Sequence, residues 1–225
     1  MIAALLEALP AFWLSLKLAT LVSLILLVIG LPLGWVFAKR RFCCRAFLES
    51  VLFLPLVLPP TVLGFYLLLF LGPEGPIKRF FGRTLAFHFE GLVVAGVVFS
   101  LPFALSAFRE AFAALPDDLV ETARTLGAGP VKVWRAVVLP LVWPGVLSGL
   151  LLAFAHALGE FGVVLMVGGA IPGETRVVSI YLYDLVEALD FSRAHAVAAA
   201  LLLFSLGLLL LARRLEARWR SATGS

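Results

Sequence analysis

The chain has 225 residues, of which 62% are hydrophobic and only 14% charged, with a mean hydropathy of +1.08. Soluble domains are about half apolar and about a quarter charged, so this composition excludes a water-soluble globule and leaves lipid as the solvent for most of the surface. A net charge of +4 and a pI near 9.4 do not point to nucleic acid, because the basic residues gather beside apolar spans rather than along one soluble face.

Five apolar stretches are each long enough to cross a bilayer as a helix: 11–37, 46–71, 91–108, 141–167 and 195–211. Helices are required because lipid offers backbone groups no partners, and barrel strands would alternate polar with apolar. The first stretch contains Lys17 and no A-x-A site, so it reads as an uncleaved span. Lys17 near the outer end either snorkels or attracts anions. Cys43 and Cys44 are adjacent among Lys39, Arg40, Arg41 and Arg45, which excludes a disulfide framework. In the second stretch Pro55, Pro59 and Pro60 interrupt the helix, either as a simple kink or as part of a pathway wall to which Thr61 adds a hydroxyl. The fourth carries Glu160, a carboxylate costly to bury in a span, with His156 on the same face four residues earlier. A structural pair between them is favoured over a conduction role, because a negative charge would repel an anion.

The long connections 72–90 and 168–194 mix aromatics with charge. Within the second, 177–183 fits a short or re-entrant helix, and Asp184, Glu187 and Asp190 argue against a full crossing. Basic residues dominate the first connection, the third (Arg109, Arg124, Lys132, Arg135) and the tail (Arg213, Arg214, Arg218, Arg220), giving an N-outside, C-inside topology. The pairs Gly30/Gly34 and Gly145/Gly149 permit close helix contact, between two copies or within one. The expectation is an all-α integral membrane protein, one transmembrane domain over 1–225.

Between the third and fourth spans, 113–140 is polar. Pro116 suits a helix's first turn, and Asp117 and Asp118 put negative charge near the positive dipole end. A helix over 118–126 is predicted, ended by Gly127 in a left-handed cap, before Gly129 and Pro130 turn the chain into a second segment at 131–138. On the first helix Leu119, Ala123 and Leu126 form one shallow apolar stripe edged by Glu121 and Arg124, fitted to a groove on a partner protein. A helix lying among lipid headgroups is the alternative.

The order Glu121-Thr122-Ala123, three residues, Gly127, nine residues, then Val137-Val138-Leu139-Pro140 resembles the EAA loop of ABC-importer permeases, with Thr122 where Ala and Val137 where Ile are usual. The resemblance implies a coupling helix-turn-helix seated in a cleft of a separate ATPase subunit, with Leu119, Glu121, Thr122, Ala123, Arg124, Leu126, Gly127, Val137, Leu139 and Pro140 as the interface. Further blocks, LPLVLPPTVLG at 54–64, RTLGAG at 124–129, ALGEFG at 157–162 and IPGETR at 171–176, resemble molybdate permeases; sulfate permeases share the one around Glu160.

This resemblance implies a type I importer fold and a homodimer that forms the pathway for an oxyanion, molybdate or tungstate, with sulfate or thiosulfate as the alternative. It also implies two ATP-binding cassette subunits that hold ATP and Mg, an extracytoplasmic oxyanion-binding protein, and a bacterial or archaeal cell membrane. No nucleotide-binding G-x-x-x-x-G-K-[ST] motif is present, so this chain is expected to be non-catalytic and to bind no cofactor. An ion-coupled carrier would lack the coupling loop. An intramembrane enzyme built on His156, Glu160 and His195 lacks an H-E-x-x-H arrangement or cysteine ligands.

Overall fold

The computed structural model describes residues 2–223, with the side chains of 2, 3, 117, 212, 213 and 215–223 outside that description. Among the described residues the chain is entirely helical, in the order α1 (Ile2–Lys39), α2 (Arg45–Phe53), a 3-10 turn (Leu54–Leu56), α3 (Pro60–Leu71), α4 (Pro76–Phe81), α5 (Phe89–Ala113), α6 (Asp117–Thr125), α7 (Pro130–Val133), a π-helical stretch (Trp134–Val138), α8 (Leu139–Gly159), α9 (Gly162–Gly168), α10 (Val178–Glu187) and α11 (Phe191–Thr223). Among the described residues five segments are long and apolar enough to cross a membrane: Ala4–Lys39, Pro60–Phe81, Phe89–Ala113, Pro130–Gly159 and Phe191–Leu211. The charge markers Asp117, Arg213, Arg218 and Arg220 have side chains that lie outside the described residues.

Two spans differ from expectation in their bounds. Pro59 and Pro60 do not kink the second span; they begin it, at the N-cap and in the first turn of α3, while Pro55 lies buried in the 3-10 turn before it. A helix's first N–H groups have no partner within the helix, so proline costs least there. What precedes them, α2, is a separate nine-residue helix with no buried residue. The fourth span is not one helix to residue 167. It stops at Gly159, runs non-helically through Glu160 and Phe161, and resumes as α9.

The core is organised around α5. Phe108, fully buried, fills the space left by glycines on two neighbouring helices. A Cβ built on Gly30 would lie 2.8 Å from the Phe108 ring, one on Gly34 2.7 Å from Phe108 Cβ, and one on Gly149 2.8 Å from Ala107 Cβ. Gly145 abuts Ala111 in the same way, at 2.6 Å. Both glycine pairs thus serve contact within the chain, where the missing side chains let α1 and α8 close on α5.

The two long connections are ordered. Phe87 N–H donates to Val167 O at 2.9 Å and Leu85 N–H to Leu71 O at 3.0 Å, pinning 72–90 to the ends of α3 and α9. The predicted short helix exists as α10, whose ten residues cover only about 15 Å at 1.5 Å per residue, too little to cross. Its Val178 and Tyr181 bury against Ala8 and Ala11 of α1, so α1 begins nine residues before the expected start of the first span.

Candidate coupling and pathway sites

The segment 113–140 folds as two helices joined by a turn. Leu126, Gly127 and Ala128 close α6 in a Schellman arrangement: Gly127 N–H donates to Arg124 O at 2.9 Å and Ala128 N–H to Ala123 O at 3.0 Å, with Gly127 at φ +82°. Pro130 then sits in the first turn of α7. The second segment is not separate from the membrane: α7 runs through the π-helical stretch directly into α8, with Leu139 N–H donating to Trp134 O. Pro140 lacks the N–H that a helix interior needs, and it lies just after the π-helical stretch, in the first turn of α8. Trp134 ties this stretch to α1 and α5, its ring centroid 6.3 Å from Trp35 and 5.9 Å from Phe112.

The predicted interface residues divide by exposure. Glu121, Thr122, Arg124, Gly127 and Pro140 are exposed, as are Leu119, Leu139 and above all Leu126, at 83%. Val137 is half-buried. Ala123 does not join Leu119 and Leu126 in an outward stripe; with Val120 and Ala128 it packs against the main core. On a helix, position 123 stands about 40° from 119 and about 60° from both 120 and 126, between the two faces, and α6 turns the 120 side inward.

The second polar locus is the break between α8 and α9. Glu160 is 7% exposed, and its Oε1 accepts the Val163 N–H at 2.8 Å, satisfying one of the orphan donors that open α9. Its backbone carbonyl accepts from Ser179 Oγ of α10 at 2.6 Å. Pro60 closes the other side, where a Cβ on Gly162 would stand 2.9 Å from Pro60 Cβ. The structure therefore brings Pro60 near Glu160 through Gly162, although Pro60, like Pro59 and Thr61, is exposed at the start of α3.

His156 does not pair with Glu160. Its ring stacks on Phe99 at 4.5 Å and meets Phe103 at 4.1 Å, and its Nε2 has no hydrogen-bond partner among the described residues. The helix ends before Glu160, which removes the i,i+4 geometry the expected pair required. Lys17, exposed, places Nζ 4.4 Å over the Phe89 ring. Among the described residues no three His, Cys, Asp or Glu side chains gather as a metal site.

Three hydroxyls that sequence reasoning passed over tie α10 and the 168–176 turn to the bundle. Ser15 Oγ accepts the Val178 N–H at 2.8 Å, and Thr175 Oγ1 donates to Gly168 O at 2.7 Å while accepting from Ile171 N–H at 3.0 Å. Thr175 is fully buried inside the IPGETR turn, where Ile171 O accepts the N–H groups of Glu174, Thr175 and Arg176. Ser179 is the third. The only signal available was small polar residues at the edges of apolar runs. On α10, burial pushes the Asp184 carboxyl above the usual carboxylate range, against the pull of Arg176 at 3.8 Å and with Glu187 adding to the rise.

Over 201 residues the chain is 48% identical to the molybdenum transport system permease protein of Azotobacter vinelandii, covering 88% of this chain and 89% of that relative. A probable sulfate transport system permease of Chlorella vulgaris is 32% identical over 207 residues, 91% of this chain and 78% of the relative. A bacterial ABC transporter involved in the import of the polysaccharide alginate contains a chain of the same fold, with a TM-score of 0.76 at 17% identity, over 93% of this chain and 79% of that one. Residues 30–221 match the family described as the binding-protein-dependent transport system inner membrane component. This multi-pass membrane chain is therefore a member of that family.

Proposed function

We propose that the chain is the permease subunit of an ATP-driven oxyanion importer whose cargo is molybdate or tungstate. Two copies form the pathway between two ATP-binding cassette subunits, and an extracytoplasmic binding protein delivers the oxyanion. The whole chain, 1–225, acts as one transmembrane domain with N-outside, C-inside orientation. ATP and Mg belong to the cassette subunits, and this chain is the non-catalytic member. The observation that carries the reading is the 48% identity to a molybdenum permease across nearly the full length of both chains. The sulfate reading rests on weaker likeness, 32% identity.

The coupling interface is the exposed face of α6 and the turn that follows: Leu119, Glu121, Thr122, Arg124, Leu126 and Gly127. Ala123 supports it from behind, and Val137, Leu139 and Pro140 carry the push into the bundle. A cassette subunit can shift the permease between inward- and outward-open states only through contacts whose energy differs between them. Because α7, the π stretch and α8 form one helical rod, movement of the loop reaches the fourth span without crossing a flexible joint. Glu160 acts as a cap on the broken helix rather than as a cargo ligand, since its Oε1 is engaged by Val163 N–H. High-affinity selection belongs to the binding protein, as conduction calls for weak sites along the path.

The test is uptake of labelled molybdate into vesicles reconstituted with the chain, its cassette subunit and its binding protein, with tungstate and sulfate as competitors. Uptake that requires ATP, is inhibited by tungstate and survives excess sulfate is expected. Glu121→Lys or Gly127→Asp should leave membrane insertion intact while ATP hydrolysis no longer drives uptake. Uptake by the chain alone on an ion gradient would replace this reading with a secondary carrier.

A further inference from the structure

A cavity of about 570 Å³ opens between the end of α1 and the coupling segment. Its wall presents Trp35, Lys39 and Arg40 on one side and Glu121, Arg124 and Trp134 on the other. Among the described lining side chains, three are cationic and one is a carboxylate. The Lys39 ammonium is fixed in place by donating to Leu115 O at 3.0 Å. The Arg40 guanidinium lies over the Trp35 ring, 5.2 Å from its centroid, which leaves the edge donors of its planar fork open to the cavity. Neither Arg40 nor Arg124 forms an ion pair among the described residues, and Glu121 does not neutralise either of them.

We propose that this cavity binds a tetrahedral, phosphate-type oxyanion group that bridges Arg40 to Arg124. The volume falls in the range of small-ligand sites, about 300–1,000 Å³, and the guanidinium groups of Arg40 and Arg124 are solvent-accessible, so an anion can reach both. Guanidinium groups suit such an anion because their paired N–H donors match its oxygens two at a time. Two sources share this chemistry: the headgroup of an anionic phospholipid, for which basic clefts beside span ends are suited, and a free oxyanion in solution. Either would tie α6 to the end of α1. Resting on the coupling role proposed for α6, occupancy would then hold the loop in one of its two positions and so set how readily the transporter cycles.

The experiment needs no cassette subunit, so its failure leaves the transport reading standing, and failure of transport leaves this site standing. The purified full chain is placed in nanodiscs of phosphatidylcholine, and tryptophan emission is followed while inorganic phosphate, then molybdate, is added. In parallel, nanodiscs containing phosphatidylglycerol are analysed by native mass spectrometry for retained lipid. A saturable emission change assigns the site to a free oxyanion; retention of phosphatidylglycerol without that change assigns it to the headgroup. In either case Arg40→Gln should weaken binding about tenfold, the loss expected when one charge-assisted hydrogen-bonding group is removed. Lys132→Gln, outside the cavity, should stay within about twofold on the same scale. Arg124→Gln supplies the second variant if thermal unfolding shows that Arg40→Gln does not fold. No saturable change with no retained lipid, or an equal loss in Lys132→Gln, overturns the proposal.

Discussion

Two of the places where the chain leaves a helix, at Gly127 and at Glu160, are held in opposite ways. At Gly127 the turn is made by its own residues: a left-handed glycine, two backbone hydrogen bonds to Arg124 and Ala123, and open space where a Cβ would stand. At Glu160 the turn is made by residues from elsewhere: Pro60 from α3 on one side and Ser179 from α10 on the other, with the Glu160 carboxylate folded onto the Val163 N–H. A turn held locally keeps its shape while its surface is engaged by something else. A turn held by tertiary contacts moves when its neighbours do, which suits a point in the bundle where two spans change their packing.

The largest effect should come from forcing the neighbours of the second turn apart. Gly64 lets α3 approach α9 so closely that a Cβ there would lie 2.7 Å from Met166 Cβ and 3.2 Å from Val163 Cα. Gly64→Val should lower stability by about 3 kcal/mol, at the upper end of overpacking costs, read as thermal unfolding in detergent and as lost folded yield. Next is the carboxylate itself. Glu160→Ala leaves the buried Val163 N–H without an acceptor and should cost about 2 kcal/mol, whereas Glu160→Gln keeps an oxygen there and should cost less than about 1 kcal/mol. If Gln proves as damaging as Ala, charge rather than capping is what the position supplies, and the contrast between the two turns fails.

How much could be read in advance follows the same division. Pro116, Gly127, Gly129 and Pro130 announce the coupling turn because each acts on its own backbone, and α6 at Asp117–Thr125 lies within one residue of the expected bounds. The break at Glu160 is harder to read, because Ala157, Leu158 and Phe161 are as apolar as any span and the flanking Gly159 and Gly162 mark a weak point without saying that the carboxylate caps the helix that follows. The three prolines of 55–60 were visible, but whether proline kinks a helix or starts one depends on what the preceding residues pack against. For α2 that is nothing buried, with Glu49 reaching across to Arg109 as its tie to α5. Likewise the glycine pairs announced close contact without its partner, which turned out to be Phe108 and Ala111 of α5.

A smaller effect is expected at the locally held turn. Gly127→Ala meets no neighbour, so its cost is only the left-handed backbone, about 1–2 kcal/mol for an ordinary residue, and Gly127→Asn should recover part of it. Hydrogen exchange of the α6 amides measures this directly, since fraying of the cap raises exchange there before global stability changes. Uptake should fall further than stability does if the cap's rigidity is what couples the loop to the cassette subunit.

Smallest of all should be Gly129→Ala, two residues on. Gly129 has φ −66° and ψ 162°, an extended conformation open to any residue, and nothing stands within 4 Å of the Cβ that alanine would add. Alanine there removes conformational freedom from the unfolded chain without straining the folded one, but Gly129 is the N-cap of α7, where alanine is the poorer residue, so the two effects offset and stability should change by less than about 0.5 kcal/mol. The isolated chain should therefore tolerate it. In the reconstituted transporter the outcome separates two pictures of the turn: unchanged uptake confines the cassette contact to α6 and Gly127, while a loss of uptake with no loss of stability extends the contact to the loop's far edge. The second result would mean that the space beside Gly129 is reserved for the partner.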